Sequence, residues 1–423
     1  MIKTILVKGP ALSQTGYGEQ TRFALRSLMS KPDVFDVYIQ PTGWGKSSWL
    51  LANDPDRQWI DKLIQKTGMY IRQGGQFEMS LQVTIPNEWE KMTPINIGYT
   101  AGIETTKVAP QWIEKSFLMD KILTISHHSK NVYLDTVYDA TVNETQERVK
   151  VGCQTPIEVV HYPVRNYKAA DIDLELDYDF NFLTVAQWGP RKNLDNTVQW
   201  WVEEFLNEEV GLVVKTNLIK SSLVDREFTE KRLSALLSAY PDRKCKVYLV
   251  HGYMTPEEMT GIYQHPQIKC LVSLTHGEGF GLPLFEAAYN GMPIIAPDWS
   301  GHVDFLHAPR KTRKKKKTVT KVMPCYATVK YDLREVQKTA VWDGVVQSDA
   351  KWCYPQEASY KKQLRNVHTN YGRFTKIAQT LKKHIAETFE PKIKYEAFAN
   401  AVYEEEKFEM EDWLNSLDIE TYE

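Results

Sequence analysis

Up to about residue 160, short apolar runs alternate with longer amphipathic stretches. Thr4–Lys8, Asp36–Gln40, Leu81–Ile85, Ile95–Thr100 and Lys121–Ser126 have the length and β-branched content of buried strands. Gly18–Ser30 and Ala109–Met119 repeat their apolar residues at helical spacing. This alternation predicts parallel βαβ units. After Ile157–Val164 the chain turns polar and acidic over Arg165–Phe180, read as a linker without a clear period. The pattern then restarts. Phe180–Trp188, Gly211–Thr216, Lys246–Tyr253, Lys269–Leu274 and Pro293–Pro297 read as strands, with helices over Asn193–Asn207 and Glu227–Tyr240. The expected architecture is α/β: two Rossmann-like, doubly wound halves facing a cleft, 1–168 and 178–392. The segment 393–423 is helical in period and is expected to cross back to the first half.

Ligands of open parallel sheets sit beyond the carboxyl ends of the strands, so chemistry should gather there. The stretch Ser273–Leu306 supplies it. An apolar strand ends in a glycine-rich turn holding Glu278, and Pro283 suits the first turn of the helix that follows. Gly291 suits the left-handed position that closes that helix. Its amino end would aim free N–H groups and a partial positive charge at the cleft, a setting for phosphate. Glu278 lies in the turn and Glu286 one turn into the helix, so the two carboxylates reach different parts of one extended ligand. Arg191 and Lys192 follow another strand and fall at the same edge. Gly16, Tyr17 and Gly18 open a helix after the first strand, while Glu104, Ser126, His127 and His128 follow two more.

Composition narrows the class. The chain has 423 residues, 42% hydrophobic and 25% charged, with a formal net charge of −2. That is ordinary for a protein folding in water, and no apolar run approaches a membrane span. The first residues read as a strand rather than a secretory signal, so residence in the cytoplasm is expected. Five scattered cysteines, none in a CxxC pair, argue against a disulfide framework or a zinc site. Asp54 and Asp56 resemble a metal-binding DxD but read as a helix cap. One local charge block stands out: Arg310–Lys317, including Lys314, Lys315, Lys316 and Lys317, is either a solvated loop or a polyanion contact.

The pair Glu278–Glu286, with GEGFGLPLFEAAYNGMPII around it, resembles the EX7E signature of the retaining GT-B nucleotide-sugar glycosyltransferases, above all glycosyltransferase family 4. The likeness runs through most of the second half, including TVAQWGPRKNLDN and VYLVHGYMTPEEMTGIY, and is weaker in the first. It implies that Glu286 holds the donor ribose and that Glu278 meets the transferred sugar. The amides of Phe280, Gly281 and Leu282 then face the donor phosphates, with Lys192 and Arg191 beside them and Gly16 and Gly18 across the cleft. The family's earlier basic residue is replaced here by Ala186 and Gln187. Glu104 stands where many relatives carry a histidine, and His127 falls on the acceptor side. No metal or other cofactor is implied beyond a nucleoside-diphosphate sugar as co-substrate. The residues after Leu306 are similar to glycosyltransferases of large tailed bacteriophages, implying 5-hydroxymethylcytosine in DNA as acceptor, with the 310–317 segment on the phosphate backbone. A glycan acceptor, or a binding module without catalysis, are the alternatives.

Overall fold

A computed structural model describes residues 2–142, 145–314 and 317–404. In the first lobe, β1 (Lys3–Gly9), β2 (Phe35–Pro41), β3 (Met79–Val83), β4 (Ile95–Thr100), β5 (Lys121–Thr124) and β8 (Ile157–Val159) form one parallel sheet in the order β2-β1-β3-β4-β5-β8. The antiparallel hairpin of β6 (Val137–Thr141) and β7 (Arg148–Gly152) stands outside it. The crossovers are α1 (Gly16–Met29), α2 (Pro55–Arg72), α3 (Pro110–Ser116) and α4 (His127–Asp135). Every residue of β3 is buried, as expected for a parallel strand covered by helices on both faces.

The second lobe repeats the plan. Strands β9 (Asn181–Gln187), β10 (Gly211–Asn217), β11 (Lys246–His251), β12 (Ile268–Val272), β13 (Ile294–Pro297) and β16 (Ala327–Val329) form a parallel sheet ordered β11-β10-β9-β12-β13-β16. Around it pack α5 (Leu194–Phe205), α6 (Leu223–Leu237), α7 (Pro256–Gln264), α8 (Leu282–Tyr289) and the short α9 (Val303–Leu306). In each sheet the strand order reverses beside the first strand of the lobe, β1 or β9. The loops leaving these strands at their carboxyl ends therefore face the cleft.

Two hairpins interrupt the second lobe, β14 (His307–Lys314) with β15 (Lys317–Pro324), and β17 (Tyr331–Glu335) with β18 (Lys351–Pro355). The first bears on the basic block, which the sequence left open between a solvated loop and a polyanion contact: its described residues pair as strands. Residues 307–314 pair in antiparallel register with 317–324, closing at Lys314 opposite Lys317. Alternation of Lys and Arg with Thr and Val lets a highly charged segment satisfy its backbone as a ribbon. Lys315 and Lys316 lie outside the described residues.

Helices α10 (Glu357–Thr369) and α11 (Tyr371–Thr388) pack under the second lobe, and α12 (Pro391–Val402) then returns to the first. Phe398 is fully buried, its ring 5.0 Å from those of Phe23 and Tyr99, and the Lys121 ammonium donates to the Ala401 carbonyl. The helical pattern expected beyond residue 404 lies outside the described residues. The stretch read as an irregular linker does have a period. Ile172, Leu174 and Leu176 are half-buried between exposed Asp171, Asp173, Glu175 and Asp177, so it runs extended with alternate side chains packed on the core. Among the described residues no helix is long and apolar enough to cross a membrane.

Candidate active site

A cleft of about 1180 Å³ lies between the lobes, lined by Glu104, Arg191, Lys192, Glu278, Phe280, Gly281, Leu282 and Glu286 among others. The structure thus brings together most of the residues singled out from the sequence. The loop between β12 and α8 is held from behind: Ser300 Oγ accepts from the Glu278 amide at 2.9 Å, and the Gly301 amide donates to the Glu278 carbonyl at 2.9 Å. Gly281 takes a φ of +94° as the residue before α8, a conformation that favours glycine, and no side chain caps that helix end. The first amides of α8 therefore point at the cleft without a protein side chain to receive them, the arrangement that suits an anion.

Two of the turn's glycines are required by the neighbouring lobe. A Cβ at Gly277 would meet the Glu104 carbonyl at 2.5 Å, and one at Gly279 the Ala101 carbonyl at 2.7 Å. Both neighbours belong to the other lobe. The glycines there permit the two lobes to touch, backbone against backbone, rather than permitting approach to a ligand.

Glu278 is buried under two cations. Lys192 Nζ donates to both carboxylate oxygens at 2.6 and 2.8 Å, and Arg191 donates to one at 3.1 Å. Burial alone would raise this carboxyl, but the adjacent Lys192 and Arg191 charges hold it down at about 2. The same burial pulls the Lys192 ammonium below its ordinary value, with Glu278 opposing. Arg191 also donates to the Gly277 carbonyl at 2.6 Å and pairs with Glu104 at 3.3 Å, which ties the second lobe to the first. Both cations are placed by a single 3₁₀ turn, Pro190–Lys192, closed by Asn193 at a φ of +53°. Asn193 holds that conformation by donating its side-chain amide to the Leu274 carbonyl at 3.1 Å.

Glu286 stands apart from this cluster. It projects into the cleft, wet on its surface yet surrounded by protein, and the Tyr263 hydroxyl donates to it at 3.0 Å. Partial desolvation, opposed by that hydrogen bond, pushes its carboxyl up to about 7. The two glutamates are thus driven in opposite directions, one permanently anionic and one able to titrate near neutrality.

Gly16 and Gly18 both sit at the start of α1, but only Gly16 lines the cleft. A Cβ at Gly18 would lie 2.0 Å from the Ser13 carbonyl, whereas one at Gly16 meets nothing within 4 Å. Gly18→Ala should therefore lower stability by about 2 kcal/mol or more, while Gly16→Ala leaves it unchanged. Parallel thermal denaturation checks this; equal melting temperatures would contradict it.

Three expectations need correction or relocation. His127 is not in the cleft lining: it is exposed, with Nδ1 3.0 Å from Asp304 on the seam behind the glutamate turn. His128 is half-buried edge-on to Trp299, and desolvation lowers its imidazole to about 4. None of the described side chains of the β14–β15 hairpin lines the cleft. Asp54 does cap α2, accepting from the Asp56 amide at 2.8 Å, and Asp56 faces Arg26 and Arg22, a cationic setting unsuited to a metal ligand.

Several lining residues were not assigned to the site from the sequence. Lys215 occupies β10, where GLVVKT places a charge inside an otherwise apolar strand, and that mismatch was the available signal. Burial lowers its ammonium to about 8, and it donates to the Gly252 carbonyl. Tyr17 and Trp44 form a tilted ring pair with centroids 4.2 Å apart, and Thr339–Trp342 line the cleft beside the Pro190–Lys192 turn. That last segment belongs to an insertion that grips the first lobe. The Asn87 side chain donates to the Gly344 carbonyl at 2.9 Å, and the Thr106 amide to the Lys351 carbonyl at 2.9 Å.

The two parallel six-strand sheets and their cleft are the GT-B glycosyltransferase architecture. Solved structures with that architecture align over nearly the whole chain. Sucrose-phosphate synthase from Thermosynechococcus elongatus has a TM-score of 0.59 at 12% identity, covering 94% of this chain and 98% of its own. The lipopolysaccharide outer core galactosyltransferase WaaB, in its apo form, has a TM-score of 0.55 at 13% identity, covering 95% and 99%. Anabaena HepE in complex with UDP-glucose has a TM-score of 0.54 at 10% identity, again covering 95% and 99%. Identities this low bear on the fold. No protein-family model matches the sequence, and comparison with curated proteins gives no match.

Proposed function

We propose that the protein is a retaining glycosyltransferase that moves a sugar from a nucleoside diphosphate to an acceptor hydroxyl without a metal ion. The observation that carries this reading is the convergence, in a GT-B cleft, of an uncapped helix end, the Lys192–Glu278–Arg191 cluster and a separate carboxylate at Glu286. The donor diphosphate lies against the amides of Phe280, Gly281 and Leu282, with Lys192 shared between it and Glu278. Glu286 accepts from the ribose hydroxyls, and Glu278 contacts the transferred sugar. As the sugar–phosphate bond breaks, the helix end and Lys192 stabilise the charge gathering on the phosphate oxygens, and the departing phosphate takes the acceptor proton on the same face. Glu104 acts by orienting Arg191. Contact between the lobes at Gly277 and Gly279 excludes water that would otherwise hydrolyse the donor.

For the acceptor, the basic β14–β15 hairpin supports DNA, its backbone on the cations and a flipped 5-hydroxymethylcytosine in the cleft, in a cytoplasmic setting. A glycan acceptor is the second reading. It is favoured by the Tyr17–Trp44 pair, which offers a stacking surface inside the cleft, and by the position of the hairpin's described side chains outside it. Incubation with a panel of nucleotide sugars, together with hydroxymethylated DNA, plain DNA or oligosaccharides, separates the readings by product mass. Mass gain on hydroxymethylated DNA alone supports the first. Gain on the oligosaccharide supports the second, and no transfer or donor hydrolysis with any combination contradicts glycosyl transfer itself.

A further inference from the structure

Behind the glutamate turn, outside the cleft lining, two histidines from separate segments of the first lobe, one opening α4 and one in the chain after β8, meet one oxygen of Asp304. Asp304 Oδ2, on α9 of the second lobe, is 3.0 Å from His127 Nδ1 and 2.8 Å from His161 Nε2, both in the first lobe. The three ligand-type atoms all lie within 4.8 Å of one another, and the two imidazole rings have centroids 5.4 Å apart. The His127 backbone amide also donates to that oxygen at 2.8 Å, which fixes the carboxylate in place.

We propose that His127, His161 and Asp304 form a divalent-metal site, suited to Zn²⁺, that joins the two lobes. Ligand atoms about 2.1 Å from one ion are about 3.0 Å apart in octahedral and about 3.4 Å apart in tetrahedral geometry, so the 3.0 and 2.8 Å separations of Asp304 from the two histidines need to open by only about half an ångström to take zinc. Two neutral imidazoles and one carboxylate make a borderline donor set that carries one negative charge toward a doubly charged ion. His161 and Asp304 are mostly covered, whereas the His127 side chain is 63% exposed, so the ion has an entry path and room for water ligands. The aromatic support is rigid: the His161 ring packs against Phe280 and Phe389, with centroids 6.0 and 5.5 Å away. Because two ligands come from the first lobe and one from the second, an ion there holds the lobes together without touching the cleft. This assignment does not depend on the transfer reaction.

The test is titration of the chelator-treated full chain with ZnCl₂, followed by calorimetry and by thermal denaturation. The expected result is one ion per chain and a rise in melting temperature with added zinc, since a ligand bound only by the folded state stabilises it. His127→Ala and Asp304→Asn should each weaken binding by about tenfold or more and remove the zinc-dependent rise. His127 is exposed, so its alanine variant should keep the fold even where a change at His161 does not. No zinc uptake, or uptake unaltered in both variants, would overturn the site and leave the cluster a hydrogen-bonded seam.

Discussion

Lys192→Ala lowers the rate of sugar transfer by about 100- to 1000-fold, the loss expected when one preorganised cationic donor to a developing oxyanion is removed. Two effects combine. The leaving diphosphate loses a charge-assisted hydrogen bond, and Glu278 keeps only Arg191 as a cationic partner. Glu278 has a depressed pKa, so its pairing contributes stability above the ordinary carboxylate range and loses it only as pH falls from about 4.5 toward 2. Removing Lys192 takes away the larger of the two charges that oppose burial, so in the variant the Glu278 carboxyl moves upward and its buried charge is under-compensated. Lys192→Arg should recover part of the rate, because charge survives while its reach differs. Initial rates below the variant's melting temperature check this, and a rate near that of the unaltered protein would show that the diphosphate is held elsewhere.

Glu286→Ala weakens donor binding by about 10- to 100-fold and changes turnover less, since one or two hydrogen bonds to a charged group contribute about 1.5–3 kcal/mol. The pH dependence carries the sign. With its carboxyl raised to about 7, Glu286 is anionic above that pH and protonated below it. Ribose hydroxyls donate best to the anion, so affinity for a nucleoside diphosphate should fall by up to about tenfold per pH unit below 7. In Glu286→Gln the curve should be flat. Calorimetric titration at pH 6 and pH 8 measures it; equal affinity in both proteins would remove Glu286 from the donor site.

Much of the frame was readable because parallel strands buried on both faces leave unbroken apolar runs, and the expected strands recur in both sheets. The glutamate turn was readable for a related reason: Pro283, Gly281 and Gly291 each answer a backbone requirement that few residues meet. What escaped was long-range. Nothing local tells that Gly277 and Gly279 face the other lobe, because their constraint comes from Glu104 and Ala101 more than 170 residues away. The insertion carrying Trp342 has no period of its own and acquires its place by gripping Asn87 and Thr106. The basic block was left open between solvated loop and polyanion contact, and its strand pairing went unread because charge was weighed above the alternation of Thr and Val. The acidic stretch at 171–177 was misread the other way, its period of two hidden by the carboxylates on its wet side.

In the proposed reaction a sugar nucleotide lies across the amino end of α8 with its ribose on Glu286. A crystal structure of the protein soaked with nucleoside diphosphates tests it most directly. Phosphate oxygens are expected within hydrogen-bond distance of the Gly281 and Leu282 amides and of Lys192, with both ribose hydroxyls on the Glu286 carboxylate. A nucleotide bound outside the cleft, or with its phosphates turned away from α8, would contradict it.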